Sequence, residues 1–319
     1  DVVYPNGIST SLPEDVQDAY VRSIVGLENC EILQPGYAIE YDYVDPRCLT
    51  DQLQLRACPG LYLAGQINGT TGYEEAASQG LMAGINAAQK VKEKDPLIIR
   101  RDEGYIGVLI DDLVNKGTKE PYRMFTSRAE YRTLLRQDNA DLRLTEIGYK
   151  VGVASEERYQ AMLEKKSEVA SILKVLENTS VSPAELNGYL ESQGTSQLKQ
   201  KVKAHSVLTR PQISLKGLLQ SSDSLGNALG GVDEIALEQA EIQSKYAGYI
   251  RKEQELAQKM MRLDEVIIPM DFNFRNLKAL SSEGREKLSH HQPANLGQAS
   301  RISGVSPADI SVLLVHMGR

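Results

Sequence analysis

Two stretches hold residues whose types and spacing could do chemistry. The first is Gly60-Leu61-Tyr62-Leu63-Ala64-Gly65-Gln66-Ile67-Asn68-Gly69-Thr70-Thr71-Gly72-Tyr73-Glu74-Glu75. Gly65, Gly69 and Gly72 let a backbone turn tightly and come close to a ligand. Thr71, followed three residues later by Glu74, fits a capping box and predicts a helix that starts near Gly72. The free N–H groups and positive dipole end of that helix would face the crevice beyond the preceding strand. In open α/β sheets, phosphates and electron-rich carbonyls bind there. The second stretch runs from 121 to 136. Ser127 and Glu130 predict another capping box and a helix from about Arg128, with Arg128, Arg132 and Arg136 on one face and Arg123 just ahead. Guanidinium forks suit phosphate, and a row of them at about 6 Å spacing can follow a nucleic-acid backbone. The same arginines could equally be a solvated face paired with Glu130, Asp138 and Asp141.

The elements that must position these residues are legible in the pattern. Leu61-Tyr62-Leu63 is an apolar run bounded by glycine, too short for a helix, and reads as a short buried strand. Beyond the turn, Gly72, Ala76, Gly80, Gly84 and Ala88 recur every four residues, a nearly bare stripe that would let a helix lie close to a sheet, with Leu81, Ile85 and Val91 beside it. Upstream, Pro13-Glu14-Asp15-Val16 opens a short helix reaching about Val25, and 31–33 and 38–41 read as strands around Pro35-Gly36. The charged segment from Lys90 to Asp102, with Pro96, reads as a surface crossing. A helix is predicted from Tyr105 to Asn115, ended by Gly117.

From 155 to 270 the chain reads as helical. Ser182-Pro183-Ala184-Glu185 is a capping box with proline at the first helical position. A helix is expected over 156–176 and a longer one over about 233–265, its seam running Ile235, Gln239, Ile242, Tyr246, Tyr249, Glu253, Leu256, Met260 and Leu263. Three short helices follow, about 277–288, 296–302 and 307–316. The last two resemble a helix-turn-helix, a geometry that does not by itself imply DNA binding.

Composition narrows the function classes. The 319 residues suffice for two or three domains, and the net charge of −7 argues against a uniformly basic coat while leaving a local basic face open. Residues 270–319 carry six Lys or Arg against four Asp or Glu, with His290, His291 and His316 in addition. The histidine pair lacks metal-ligand companions and reads as surface. Three cysteines, Cys30, Cys48 and Cys58, offer neither CxxC spacing nor a disulfide framework. No apolar run approaches the ~20 residues needed to cross a bilayer, so a soluble, cytoplasmic protein without a membrane partner is expected. A G-x-G-x-x-G fingerprint is absent.

Read with Tyr4-Pro5-Asn6-Gly7-Ile8-Ser9-Thr10-Ser11-Leu12-Pro13, the glycine block resembles the GidA/MnmG family of flavin-dependent tRNA uridine 5-carboxymethylaminomethyl modification enzymes. Three more blocks match in order: Pro35 to Asp42, Pro121-Tyr122-Arg123-Met124-Phe125-Thr126-Ser127-Arg128-Ala129-Glu130-Tyr131-Arg132, and Leu296-Gly297-Gln298-Ala299-Ser300-Arg301-Ile302-Ser303-Gly304-Val305. The resemblance implies the C-terminal half of a longer enzyme, inactive alone, whose other half carries the main flavin fingerprint and the catalytic residues. The fold implied is α/β plus all-α, a partial FAD/NAD(P)-binding Rossmann-like region followed by a mainly α-helical region. Its parts would be 1–50, the tail of a nicotinamide-associated insertion domain; 51–103, the end of the FAD-binding domain; 104–269, a helical domain; and 270–319, a small helical subdomain.

Cofactors implied are FAD, NADH or NADPH, and a folate one-carbon donor. Partners implied are tRNA, the GTPase MnmE and a second copy in a homodimer, with no DNA. By the same resemblance FAD would meet Gln66, Asn68, Gly69, Thr70, Thr71, Gly72, Tyr73 and Glu74. Gln66 stands where many two-dinucleotide flavoproteins place an aspartate on the ribityl chain. RNA would meet Arg123, Arg128, Arg132, Arg136 and Arg301. Two rival readings are a flavin oxidoreductase acting on a small molecule, and a non-catalytic helical module that binds tRNA or a partner.

Overall fold

The computed structural model describes residues 2–269 and 271–317, and the chain divides into two compact units, Asp1–Val44 and Asp45–Arg319. In the first unit, α1 (Glu14–Arg22) is held by its one buried side chain, Gln17. The Gln17 amide donates to the carbonyls of Leu12 and Gly36 at 2.6 and 2.9 Å and accepts from the Gly36 N–H at 2.7 Å. The strands expected over 31–33 and 38–41 do not form. A strand needs a neighbour for its N–H and C=O groups, and no described segment pairs with either stretch.

The second unit is mostly helical with one small sheet. Its first part contains α2 (Tyr73–Val91) and α3 (Tyr105–Asp111), which continues as a π-helical turn, Asp112–Lys116, ended by Gly117 at φ 69°. Leu49, Leu53, Met82, Ala83, Ile110 and Val114 form the core here. The expected buried strand at 61–63 is instead one arm of an antiparallel bridge. Leu55 N–H donates to Leu61 O at 2.8 Å and Leu63 N–H to Leu53 O at 3.0 Å, while the Leu61 side chain stays exposed. The 90–102 segment runs exposed as far as residue 96, and then turns inward: Leu97 and Ile99 pack on this core and Arg101 is buried. Gly107 makes that approach possible, since a Cβ there would lie 2.2 Å from the Arg100 carbonyl oxygen.

The middle part comprises α4 (Ala140–Val151), α5 (Glu156–Asn178), β1 (Ser180–Val181), α6 (Pro183–Ser192), β2 (Val202–Lys203), α7 (Ala204–Leu208), α8 (Leu215–Ser221), α9 (Asp223–Leu229) and the 31-residue α10 (Glu234–Asp264). β1 and β2 pair antiparallel, Ser180 opposite Lys203. The Ser182–Glu185 capping box forms as the sequence predicts. Ile172, Leu176, Leu186, Leu190, Leu208 and Leu218 fill the core. The seam expected along α10 is only partly covered: Ile235, Tyr246, Tyr249 and Leu256 are exposed, while Gln239 is buried and Leu263 packs on the last core. Beside Gln239 the helix buries Ala236, Ala240 and Ser244, because small side chains allow the closest approach to a neighbouring helix.

The last part holds α11 (Ser282–His291), α12 (Leu296–Arg301) and α13 (Pro307–His316) around Phe274, Leu288, Leu296 and Leu313. Asp309 fastens two helix starts at once. Its carboxylate accepts from Ser306 N–H and Oγ at 2.9 and 2.7 Å and from Ser281 N–H and Oγ at 2.7 and 3.0 Å. Burial would raise this carboxyl, but those donors outweigh it and hold it at about 2. A depressed carboxyl contributes stability that is present above its unfolded value and lost as pH falls through the folded one. The stability difference between wild type and Asp309→Ala should therefore shrink by about 2 kcal/mol between pH 4 and pH 2, measured by denaturant titration across that window.

Candidate functional site

The glycine turn is fastened from inside by one amide. Gly65, Gly69 and Gly72 sit at φ 89°, 74° and 116°, with a short 3-10 turn, Gln66–Asn68, between the first two. Gln79, fully buried on α2, reaches back under the turn. Its Oε1 accepts from Gly65 N–H at 3.2 Å and Asn68 Nδ2 at 2.8 Å, and its Nε2 donates to Thr70 Oγ1 at 2.9 Å. Thr70 Oγ1 donates onward to Gly65 O at 3.0 Å. Asn68 and Thr70 therefore point inward and act as scaffold. Gln66, Tyr73 and Glu74 are exposed on the opposite side, and Thr71 and Gly72 are half-buried.

Helix α2 begins where the sequence predicts but without the expected cap. No side chain caps its Gly72 start, so the Thr71–Glu74 box is absent. Gly72, in a positive-φ conformation open to glycine (φ 116°, ψ 154°), stands at the N-cap, and the first-turn amides of α2 keep no side-chain partner. Glu75 lies beneath. One carboxylate oxygen accepts from Met124 N–H at 2.7 Å, while the other is buried without a partner, 2.3 Å from where a Gly72 Cβ would stand. The bare stripe is also on the other side of the helix from its expected place. Gly80 and Gly84 have open space above them, and Gln79, Met82, Ala83, Ile85 and Asn86 face the core instead.

The helix expected from Arg128 does not exist. Thr126–Arg128 is a single 3-10 turn and Ala129 is already extended. The Glu130 carboxylate, needed for the capping box, is taken by Arg101, 29 residues earlier, at 2.7 Å from Nη2 and 3.2 Å from Nε. Arg128, Arg132 and Arg136 consequently share no helical face. Arg128 lies over the Tyr122 ring, 4.2 Å from its centroid, and donates to the Arg123 carbonyl. Arg136 is half-buried on Asp138, and Arg301 is engaged by Asp111 and Asp264 at 3.1 and 3.0 Å. Arg123 and Arg132 remain exposed, with no carboxylate at ion-pair distance among the described residues.

Sequence reasoning missed the group that orders this region. Arg101 reads as part of a charged run with its neighbours Arg100, Asp102 and Glu103, yet its side chain is only 8% exposed and meets Asp111, Asp112 and Glu130 at once. No local signal in the sequence separates it from Arg100, which is exposed. Burial opposes charging Asp112, but Arg101 and Lys116 overcome it and keep its carboxyl low. Burial, then the Asp112 charge, pushes the Tyr122 phenol up, so it stays protonated and donates to Asp112 at 2.9 Å. A cleft of about 480 Å³ opens beside the cluster, lined by Ile99, Asp51, Tyr131, Met260 and Arg301 among others. Burial raises the carboxyls of Asp51 and Asp264 there.

The two candidate stretches meet directly. Tyr122 N–H donates to Gly69 O at 2.8 Å and Thr71 N–H to Tyr122 O at 2.9 Å. With the Glu75–Met124 bond, these lace the arginine segment to the glycine turn. Glu253 of α10 holds the segment from its far end, accepting from Thr133 Oγ1 at 2.8 Å and Leu134 N–H at 3.1 Å. Among the described residues no group of His, Cys, Asp or Glu could hold a metal ion, and no helix is long and apolar enough to cross a membrane.

Comparison with known proteins agrees with this architecture. Residues 1–95 match the model of glucose inhibited division protein A; 156–254 match the MnmG/GidA C-terminal helical domain and 256–319 its C-terminal helical bundle. A relative from Christiangramia forsetii, named tRNA uridine 5-carboxymethylaminomethyl modification enzyme MnmG, is 56% identical over 99% of this chain and 51% of its own length. A relative of the same name from Cytophaga hutchinsonii is 54% identical over the same shares. The structure of Aquifex aeolicus GidA superposes with a TM-score of 0.76 at 43% identity, covering 99% of this chain and 50% of that one. The chain thus spans about half the length of the relatives it matches. Three family models in succession, and a solved GidA structure that superposes over 99% of the chain, show that this chain belongs to the GidA/MnmG family.

Proposed function

We propose that this chain is part of a flavin-dependent enzyme that, with the GTPase MnmE, adds a carboxymethylaminomethyl or aminomethyl group to C5 of the wobble uridine of tRNA. The observation that carries the reading is the lacing of Tyr122 and Met124 to Gly69, Thr71 and Glu75. It ties unpaired arginines to the turn best suited to a cofactor, as a base-modifying enzyme requires. A flavin oxidoreductase acting on a small molecule would have no use for Arg123 and Arg132.

The turn suits FAD in a specific way. The uncapped amides of α2 favour an electron-rich group, but Glu74 and Glu75 stand in the same first turn. Two carboxylates there repel a phosphate, whereas a neutral carbonyl can still accept from the amides. The residues present therefore fit the carbonyl edge of an isoalloxazine better than the pyrophosphate, whose binding falls to the partner half of the enzyme. Gln66, exposed and able both to donate and accept, would hold the ribityl chain. Gly72, Tyr73 and Glu74 would border the ring, while Asn68, Gly69 and Thr70 shape the turn from within.

When bound, the flavin, reduced by NADH or NADPH, supplies the redox chemistry that passes a one-carbon unit from a folate. The protein's own share is positioning. Arg123 and Arg132 attract phosphates beside the anticodon loop, where a base can leave its stack at least cost. A cytoplasmic homodimer completes the reading.

Two experiments on the full-length protein separate the halves of this proposal. Gln66→Ala removes an exposed side chain, so the flavin-free protein should melt as wild type while the flavin Kd rises about tenfold, close to one lost hydrogen bond. Unchanged flavin affinity would remove Gln66 from the cofactor site. Arg123→Ala and Arg132→Ala should each lower the salt dependence of tRNA binding by about one in the log–log slope, with flavin content unchanged. Wild-type slopes and wild-type activity would take both arginines out of the interface.

A further inference from the structure

The long helix α10 runs nearly free of any core over residues 246–256, where Ile250 and Glu253 alone are not exposed. With buried Ala257 they mark its inward side, and helical spacing calls for an apolar side chain at position 253. A carboxylate stands there instead, half-buried, with no Lys or Arg at ion-pair distance among the described residues. Such a group is costly unless neutral donors converge on it. Two do, both from one turn of the arginine segment: Thr133 Oγ1 at 2.8 Å and Leu134 N–H at 3.1 Å, 120 and 119 residues away in the chain.

The grip falls on the two residues that follow Arg132. Tyr131 O closes the turn, accepting from the N–H groups of Leu134 and Leu135 at 3.0 Å each. Arg136 donates to the Thr133 carbonyl, and Asn139 Nδ2 donates to the Leu134 carbonyl at 3.0 Å. Tyr131 and Leu135 are buried on either side. Arg132 is thus an exposed cation on a turn whose backbone is held at every flank. An arginine loses much rotamer freedom when it meets a ligand, and a fixed backbone beneath it reduces what must be ordered.

A plain docking contact between helix and strap would account for the two hydrogen bonds but not for the choice of a carboxylate. Beside an arginine that meets RNA, a negative charge repels the same phosphates. A leucine would dock the helix without that cost, but it would give the turn no fixed direction, whereas two charge-assisted hydrogen bonds do. We infer that Glu253 is a positioning residue for RNA: it fixes the turn that carries Arg132. Through α10 it also refers that arginine to the middle helical part, where Ala236 and Ala240 seat the helix. The inference rests on the proposed reading of Arg132 as a phosphate contact.

The test is salt-dependent tRNA binding by the full-length protein carrying Glu253→Ala or Glu253→Gln, each alone and combined with Arg132→Ala. Removing a negative charge near a polyanion ordinarily tightens binding, so the sign of the effect separates positioning from charge. Glu253→Ala should instead weaken binding about three- to tenfold at about 100 mM salt, with the log–log slope falling by up to about one. Glu253→Gln keeps both bonds, its carbonyl accepting from Leu134 N–H and its amide donating to Thr133 Oγ1, and should bind at wild-type strength or tighter. In the Arg132→Ala background, Glu253→Ala should weaken nothing further. If Glu253→Ala fails to fold, Thr133→Val removes one of the two bonds and should weaken binding about two- to threefold, again only while Arg132 is present. Wild-type or tighter binding by Glu253→Ala, with Arg132→Ala still weak, would overturn the positioning role alone. An equal loss in the Arg132→Ala background would overturn it too, leaving Glu253 a structural contact. Wild-type binding by Arg132→Ala would overturn this inference together with the RNA role proposed for that arginine.

Discussion

A single buried guanidinium sets the geometry of everything around the candidate site. Taking the Arg101 cation out of water is costly, and only full pairing makes it tolerable. Asp111, Asp112 and Glu130 supply the charge, while the carbonyls of Val108 and Arg128 accept the remaining donors at 3.3 Å each. Because the guanidinium is a rigid fork, its partners must come to it from fixed directions. The π-helical turn swings Asp112 inward, and the 121–136 segment is drawn across as an irregular strap rather than a helix. The order then passes outward: Asp112 holds the Tyr122 hydroxyl, and the Tyr122 backbone holds Gly69 and Thr71. A turn with three glycines would otherwise have great conformational freedom. Here it is locked from below by Gln79 and from the side by Tyr122, while Gln66, Tyr73 and Glu74 stay exposed on its outer face.

The second consequence concerns where the chain uses its acids. Asp111, Asp112, Asp264 and Glu130 are committed to Arg101, Lys116 and Arg301 inside the fold. Others satisfy helix starts, as Glu185 does for Ser182 and Asp309 for Ser306 and Ser281. Carboxylates spent on interior cations and caps cannot neutralise the surface, so local positive regions coexist with an acidic whole. Net charge predicts long-range repulsion of a polyanion, but screening limits that field to roughly 10 Å at ordinary ionic strength, and within that distance the local arrangement decides.

What the sequence made legible follows from the range of each signal. Helices α5, α6, α10 and α13 could be read because apolar spacing and caps are local, and the Ser182–Glu185 and Ser306–Asp309 caps both form. Family blocks were legible for the same reason, as contiguous strings. The Ser127–Glu130 signal is equally local, but a distant competitor defeats it: Glu130 gains more from buried Arg101 than from the N–H groups of an exposed helix start. The strands at 31–33 and 38–41 failed through want of a partner, and pairing is a property of two segments. On α10 the apolar spacing was real, yet Ala236, Ala240 and Ser244 won the buried face, since closeness of approach can outweigh side-chain size in helix packing. The bare stripe of α2 was misplaced by the opposite reasoning, for Gly80 and Gly84 face open space.

The candidate site shows the same division between local and distant signals, with a sharper result. Gln66 and the glycines could be singled out because turn chemistry is written in neighbouring residues. Gln79 could not, since an amide in mid-helix gives no hint that it will reach under a loop nine or more residues away. The Glu253 clamp joins residues 120 positions apart, so no window of sequence contains it. Arg301 illustrates how the two kinds of information interact. It lies within a family block that implied a surface contact, but its guanidinium reaches Asp111 across 190 residues of chain. That contact joins the last helical part to the region carrying Arg101, so an arginine expected at the surface instead connects those helices to the turn. The bridge of Arg301 to Asp111 and Asp264 fixes the spacing of these two parts, and a fixed spacing spares the ordering entropy that a flexible connection would cost.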